Sequence, residues 1–354
     1  MRTNRPIAIE GVMRPYDWGI HNGLSEWTRV TTDGPQAELW FGAHPSAPSP
    51  LLGSSTTLDS VLGEVPLLTK ILAAATPLSL QVHPTADQAI AWRAEQADLL
   101  SDDIEKVEML IALQDFLALV GWRSLEEAGT ILSSVGATDD LLSAIESGER
   151  RKVIEMLFDQ HRISAPAQTW ADAAAGVDEV SSAVMFAVAD KFGDDPGVAV
   201  AALLQARSLQ KGDAVYLPAG VPHAYVDGLG VEVMTSSDNV LRMGLTSKTV
   251  ALGHALQAVS EEIEPQLITT PSDGEYAPAD APFRVTFITN DPHRTKSGNY
   301  RLVLAIAGGV TVAVDDTETT VEAGQALVLA PECPNADIMA HGHSVLVSQE
   351  IPKG

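Results

Sequence analysis

Residues 212–225, GDAVYLPAGVPHAY, restrict the fold more than any other stretch of the chain. Ala214 to Leu217 read as a short apolar strand, and Pro218, Gly220 and Pro222 crowd into the turn that follows. Proline locks φ and glycine adopts positive φ without steric cost, so a turn built this way is stiff. His223 at its end is therefore held in one direction. A strand that runs into so rigid a corner to present one imidazole is built to aim it.

The spacing Gly212, Pro218, Gly220, His223 fits G-x5-P-x-G-x2-H and resembles the second metal-binding motif of the cupin barrels. That resemblance implies a jelly-roll β-barrel into which His223 projects as a metal ligand. Residues 323–337, AGQALVLAPECPNAD, echo the pattern, but Asn335 and Ala336 stand where the histidine would fall. A second barrel there is expected to be metal-free and structural.

At 354 residues the chain exceeds the size at which one core keeps growing, so two or three domains are expected. From Pro6 to about Pro84, proline and glycine punctuate short strand-like runs. Between about Thr85 and Gln210, stretches such as ADQAIAWRAEQADLL, SLEEAGTILSSV and GVAVAALLQARSL carry apolar residues at helical spacing. Within them EMLIALQDFLALVGW is too continuously apolar for periodicity to decide. Alternating runs resume at GDAVYLP and again from Phe283 to the end. The expected fold is mainly β with a helical insertion: a metal-binding cupin-type barrel from residues 1–84 and 211–265, a helical domain over 85–210, and a metal-free cupin-like barrel over 266–354.

The formal charge of −25, from 22 Lys+Arg against 47 Asp+Glu, argues against nucleic acid and anionic membrane as partners. A small anionic substrate stays open, because distant charges are screened over about 8 Å and a local cation cluster decides what a pocket holds. No apolar run reaches the roughly 20 residues that span a bilayer, and the N-terminus shows no secretory h-region. A cytoplasmic location is expected. Cys333 is the sole cysteine, which excludes an internal disulfide and any thiolate cluster. A bound metal must take nitrogen and oxygen ligands.

Such ligands are at hand. In SLQVHP, Gln81 and His83 lie two apart on a strand and leave the same face. Glu108 follows Lys106 by two, and His223 supplies the second imidazole. Two imidazoles, a carboxylate and an amide oxygen suit one divalent ion such as Zn²⁺. Downstream lie Glu232, Asp238, Arg242 and Lys248, the last two being scarce cations in an acidic chain.

Five stretches in order, AELWFGAHPSAPS, LLTKILAAATPLSLQVHP, EMLIALQDFLALVGW, PAGVPHAY and SSDNVLRMGLTSK, together resemble the type I mannose-6-phosphate isomerases. The resemblance implies an aldose-ketose isomerase acting on mannose 6-phosphate and fructose 6-phosphate, with one zinc ion on Gln81, His83, Glu108 and His223. It further implies Arg242, Lys70, Lys106, Lys248 and Glu232 as active-site groups; the chemistry of such an isomerase then casts Arg242, Glu232 and Lys106 as catalytic, and Lys70, Ser79 and Lys248 as substrate-binding. The partner is then a small sugar phosphate, and the chain a monomer or weak homo-oligomer. One departure stands out, since the family reads His-Lys-Pro-Glu where this chain reads Glu105-Lys106-Val107-Glu108. The two competing readings are a cupin metal oxygenase, which would favour a redox metal and more histidines, and a non-catalytic sugar-binding cupin.

Overall fold

The computed structural model describes residues 4–159, 163, 165–193 and 195–350. Strands dominate both ends of the chain, and helices gather in its middle.

An eleven-stranded sheet forms the first barrel. One wall runs through Gln266–Ile268, Ala214–Leu217, Glu108–Ala112, His223–Thr235, Leu67–Ala74, Glu38–Phe41 and Val12–Arg14. The opposite wall uses Phe116–Trp122, Leu204–Leu209, Gln81–Val82 and Leu241–Arg242. The strand His223–Thr235 belongs to both. His223 pairs with Gln81 and Val120, whereas Glu232 pairs with Lys70 and Leu110. A register shift between Tyr225 and Asp227 marks where it turns from one wall to the other. Its two ends meet again at the mouth, because His223 lies beside the Glu108 carboxylate and the Glu108 backbone lies opposite Met234.

Period-two alternation then sorts the side chains. Along the first wall, Ile71, Met109, Ile111, Val231 and Val233 face outward into a core shared with the second barrel. Leu72, Leu110, Ala112 and Leu217 face inward. Glu38, Lys70, Glu108 and Glu232 share that inward parity, so the same alternation that buries the outer valines turns these charges into the barrel.

The second barrel packs back to back on the first. Its six-stranded sheet includes Arg301–Ala307, Gln325–Leu329, His343–Gln349 and Phe283–Ile288, and its four-stranded sheet includes Gly309–Val314 and Ala336–Ala340. Val303, Val310, Val312, Leu327 and Ile338 fill the space between these sheets. Strand Ile7–Glu10 pairs with Gln325–Leu329, so the start of the chain belongs to the second barrel rather than to the first. The expected grouping of residues 1–84 does not contain this exchange, because a strand's pairing partner is not written in its own residues.

The helical segment is also interrupted. Ala86–Glu95, Leu125–Ser134, Asp139–Glu146, Arg150–Phe158, Ala167–Ala175 and Glu179–Phe192 are helices, with Thr85 and Ser124 each closing a capping box. EMLIALQDFLALVGW, in contrast, resolves into the barrel strands Glu108–Ala112 and Phe116–Trp122. GVAVAALLQARSL is helical only over Gly197–Ala201, and Leu204–Leu209 becomes a strand because it completes the ladder of Phe116–Trp122. The helices pack on Leu80, Val82, Leu119, Leu241 and Met243, the outward residues of the second wall. Their burial leaves the alternate residues, Gln81 and His83 among them, facing the interior. No helix among the described residues is long and apolar enough to cross a membrane.

Candidate metal centre and its charged floor

Three buried side chains converge at the barrel mouth. His83, Glu108 and His223 place one ligand atom each within 4.8 Å of one another. His83 Nε2 lies 3.4 Å from Glu108 Oε1, and His223 Nε2 lies 3.3 Å from Glu108 Oε2. Each imidazole is oriented from behind. His83 Nδ1 is 2.8 Å from the carbonyl of Asn239, and His223 Nδ1 is 2.9 Å from the carbonyl of Val221. A carbonyl only accepts, so both Nδ1 atoms carry the proton and both Nε2 lone pairs face the centre.

The protonation states fit cation binding. Burial, aided by Lys106 and His223 and opposed by Glu108, lowers the His83 pKa to about 4. At neutral pH the ring is the neutral ligand form. Burial alone would raise Glu108, but Lys106 and the two histidines outweigh it and hold the carboxyl well below its usual range. His83 Nε2 is buried without a hydrogen-bond partner. An orphaned, inward lone pair beside an ionised carboxylate fits a divalent ion, and the set of two imidazoles and a carboxylate fits zinc. Gln81 sits opposite both His223 and Arg242 in the ladder, and directly opposite residues share a face. Its Nε2 donates to Ser79 Oγ at 3.3 Å, which leaves the amide oxygen available as a fourth donor.

Below this centre lies a charged floor. Lys70 Nζ is 2.6 Å from Glu232 Oε2 and 3.8 Å from Glu38 Oε1, and it stands over the Trp40 ring at 5.2 Å. Lys106 Nζ is 2.9 Å from Glu108 Oε1. Burial works against the Lys70 charge, yet Glu232, Glu38 and Glu108 together raise its pKa and keep it protonated. Burial raises Glu232, and Glu108 and Glu38 add to the rise against the pull of Lys70. Two lysines against three carboxylates leave one uncompensated negative charge, which draws a cation inward.

The structure thus brings together Gln81, His83, Glu108, His223, Lys106, Lys70 and Glu232. Arg242 is half-buried next to Gln81 in the ladder; burial lowers its pKa and Asp238 partly offsets this. Ser79 is two residues before Gln81, and Lys248 is exposed on the loop after Arg242. Glu105 lies outside the centre. Its carboxylate accepts the backbone N–H of Ala86 at 3.1 Å, so it caps the helix Ala86–Glu95.

Sequence reading missed two contributors. Glu38 was read only as part of a strand; its parity with Trp40, opposite to that of Leu39 and Phe41, was the available signal. In the sequence Asp238 stands only as a downstream acid, and Asn239 carries no signal of its own. Asn239 is fully buried, and its side chain bonds Ser101, Asp102 and Ile104 while its carbonyl orients His83. Asp238 accepts from His44 Nε2 at 3.2 Å. Nothing local in SSDN announces these long-range bonds.

Comparison with known proteins places this site in a lineage. Residues 7–125 match the family model of the phosphomannose isomerase type I catalytic domain. The chain is 33% identical over 304 residues to a probable mannose-6-phosphate isomerase of Echinococcus multilocularis, covering 68% of this chain and 70% of that protein. The chain belongs to the type I phosphomannose isomerase family. It is also 27% identical to the mannose-6-phosphate isomerase of Escherichia coli, over 95% of this chain and 97% of the relative. A crystal structure of a phosphomannose isomerase variant from Salmonella typhimurium superposes with a TM-score of 0.83 at 23% identity, covering 98% of this chain and all of the other. A zinc-bound mannose 6-phosphate isomerase gives 0.81 at 23% identity over the same shares. These superpositions establish the cupin-type fold for the phosphomannose isomerase architecture described above.

Proposed function

We propose that the chain interconverts mannose 6-phosphate and fructose 6-phosphate with zinc held by Gln81, His83, Glu108 and His223. The observation that carries this reading is the convergence of His83, Glu108 and His223, with His83 Nε2 left without a partner, in the barrel that also buries the Lys70–Glu232 pair. Moving a proton between C2 and C1 of a sugar requires a base at one face of the substrate and positive charge near O1 and O2. Zinc would supply Lewis-acid polarisation of those oxygens.

The chain's own residues do the rest. Glu232, its pKa raised by burial and by two neighbouring carboxylates, is suited to accept the proton and return it. Lys70 holds Glu232 in place by the 2.6 Å contact and is tied to Glu38 as well. Lys70 with Glu232 and Glu38 is a cluster of formally net negative charge, which disfavours phosphate, so we place Lys70 at the hydroxyl end of the sugar rather than at its phosphate. Arg242 brings permanent charge to the developing oxyanion, and Lys106, 2.9 Å from Glu108 Oε1, a second donor group. Ser79 and the exposed Lys248 take the phosphate. The same lysines and arginine weigh against an oxygenase, and a binding protein has no need of a raised Glu232.

A coupled assay of mannose 6-phosphate turnover tests the reading on purified protein, before and after chelation and with Zn²⁺ restored. Turnover that chelator abolishes and zinc returns is expected, with Arg242→Ala losing about 100-fold in kcat while keeping its metal. A zinc-loaded protein without turnover would overturn it.

A further inference from the structure

Between the helices and the barrel, Lys191 and Asp195 grip the rim at two points. Lys191, near the end of the helix Glu179–Phe192, donates from Nζ to Thr76 Oγ1 at 2.7 Å and to the Pro77 carbonyl at 3.0 Å. Those residues begin the rim segment that reaches Ser79 and Gln81. Asp195 holds the other side. Its Oδ1 accepts from Gly197 N at 2.7 Å and from Leu245 N at 3.0 Å, and its Oδ2 accepts from Thr246 N at 3.2 Å. Leu245 is in the left-handed region with φ of 54°, a conformation uncommon for leucine. The Asp195 carboxylate takes up the N–H of this residue.

The joint beneath these bonds is backbone against backbone. A Cβ on Gly197 would meet Leu245 N at 2.5 Å, and one on Gly244 would meet Gly197 Cα at 2.4 Å. The two rim segments are also bonded to each other, Leu80 N to the Gly244 carbonyl at 3.1 Å and Met243 N to the Leu80 carbonyl at 2.9 Å. Ser79 leads into one segment. Lys248 closes the other, its own N–H bonded to Thr246 Oγ1 at 3.1 Å.

We infer that Lys191 and Asp195 are positioning residues that fix the Ser79 segment against the Lys248 loop, and so set the affinity for the phosphate monoester end of the substrate. The inference rests on the isomerase reading, in which Ser79 and Lys248 take the phosphate. Asp195 and Lys191 touch neither the metal ligands nor Glu232 in any contact the structure records. Their loss should therefore weaken substrate capture and leave the proton transfer intact.

The test compares KM, kcat and zinc content of wild type, Asp195→Ala, Asp195→Asn and Lys191→Met. Asp195→Ala should raise KM for mannose 6-phosphate about tenfold, with kcat and zinc content within about twofold. Asn keeps one acceptor oxygen and should recover part of the loss. Lys191→Met, on an exposed side chain, tolerates folding and should raise KM about threefold. In a Lys248→Ala background the Asp195→Ala effect should shrink, since residues acting through one contact are not additive. Unchanged KM in both Lys191→Met and Asp195→Ala, or full additivity with Lys248→Ala, would overturn the inference alone. A wild-type protein without turnover would overturn the isomerase reading and this inference with it.

Discussion

At the mouth of the first barrel the strand Glu108–Ala112 begins with a carboxylate, and at the corresponding place in the second the strand Arg301–Ala307 begins with a guanidinium. Register makes the two positions equivalent. Glu108 lies between Leu217 and Met234, and Arg301 lies between Leu329 and Ser348. Leu217 and Leu329 each end the strand that leads into the motif loop. Around Glu108 that loop delivers His223. Around Arg301 it delivers Asn335, whose side chain instead accepts the N–H of Ser297 at 2.9 Å.

The arginine takes over the work of holding the loop. Its Nη2 donates to the carbonyls of Ala330 at 3.2 Å and Cys333 at 2.7 Å, its Nη1 to Pro334 at 3.2 Å, and its Nε to Asn299 at 3.2 Å. Four carbonyls thus face a fixed cation, 1% exposed, where the first barrel gathers ligands for a mobile one. A barrel that keeps a charge at its mouth has two ways to satisfy it, and only the ligand version leaves coordination positions open for chemistry.

The largest expected effect breaks the first barrel alone. Glu108→Gln should release zinc and lower kcat/KM about 1,000-fold. Metal analysis together with the coupled assay would show this, and retained activity would remove Glu108 from the ligand set. Arg301→Met breaks the second barrel instead. It strands carbonyls that are buried with it, so a loss of about 3 kcal/mol in urea unfolding is expected, with zinc content unchanged.

Cys333 sharpens the contrast. It is the only cysteine and is buried, and burial pushes its thiol up against the opposing pull of Arg301. Labelling at neutral pH then requires opening of the second barrel. Arg301→Met should speed modification by a disulfide reagent about tenfold, and chelation of the first barrel should not change it. Equal acceleration by both would show that the two barrels open as one unit.

The smallest effect is electrostatic. The His44 bond, against the pull of burial, holds Asp238 below its ordinary value. Asp238 therefore contributes stability that is present above the unfolded carboxyl pKa near 3.9 and is lost as pH falls through the folded value. Asp238 is half-exposed, so Asp238→Asn should flatten the acid limb of the stability profile by only a few tenths of a kcal/mol. The second barrel has no such imidazole–carboxylate contact among the described residues, and its acid stability should not respond.

What could be read in advance follows the range of the forces. The PAGVPHAY corner is local backbone chemistry, so its stiffness and the direction of His223 were visible in five or six residues. The capping boxes at Thr85 and Ser124 are equally local. EMLIALQDFLALVGW was opaque because both faces of its strands are buried, the inner in the barrel and the outer on the shared core for Glu108–Ala112 and under the helices for Phe116–Trp122, and alternation disappears when both sides are apolar. Leu204–Leu209 was misread as helix because only its ladder with Phe116–Trp122 makes it a strand. The ligand residues were legible through their family pattern, whereas Glu38, Asn239 and Arg301 act across large separations in the chain, where no short window carries a signal.

The folded-back course of the strand His223–Thr235 has a dimensional consequence. Its first residue reaches the Glu108 carboxylate and its penultimate one pairs with the Glu108 backbone, so two distant positions of a single piece of chain stand side by side at the mouth. The bend near Tyr225 and Asp227, at the far end of the barrel, acts as the pivot of a pair of callipers. The separation of the two ends at the mouth is thus set by backbone geometry at the opposite end of the barrel.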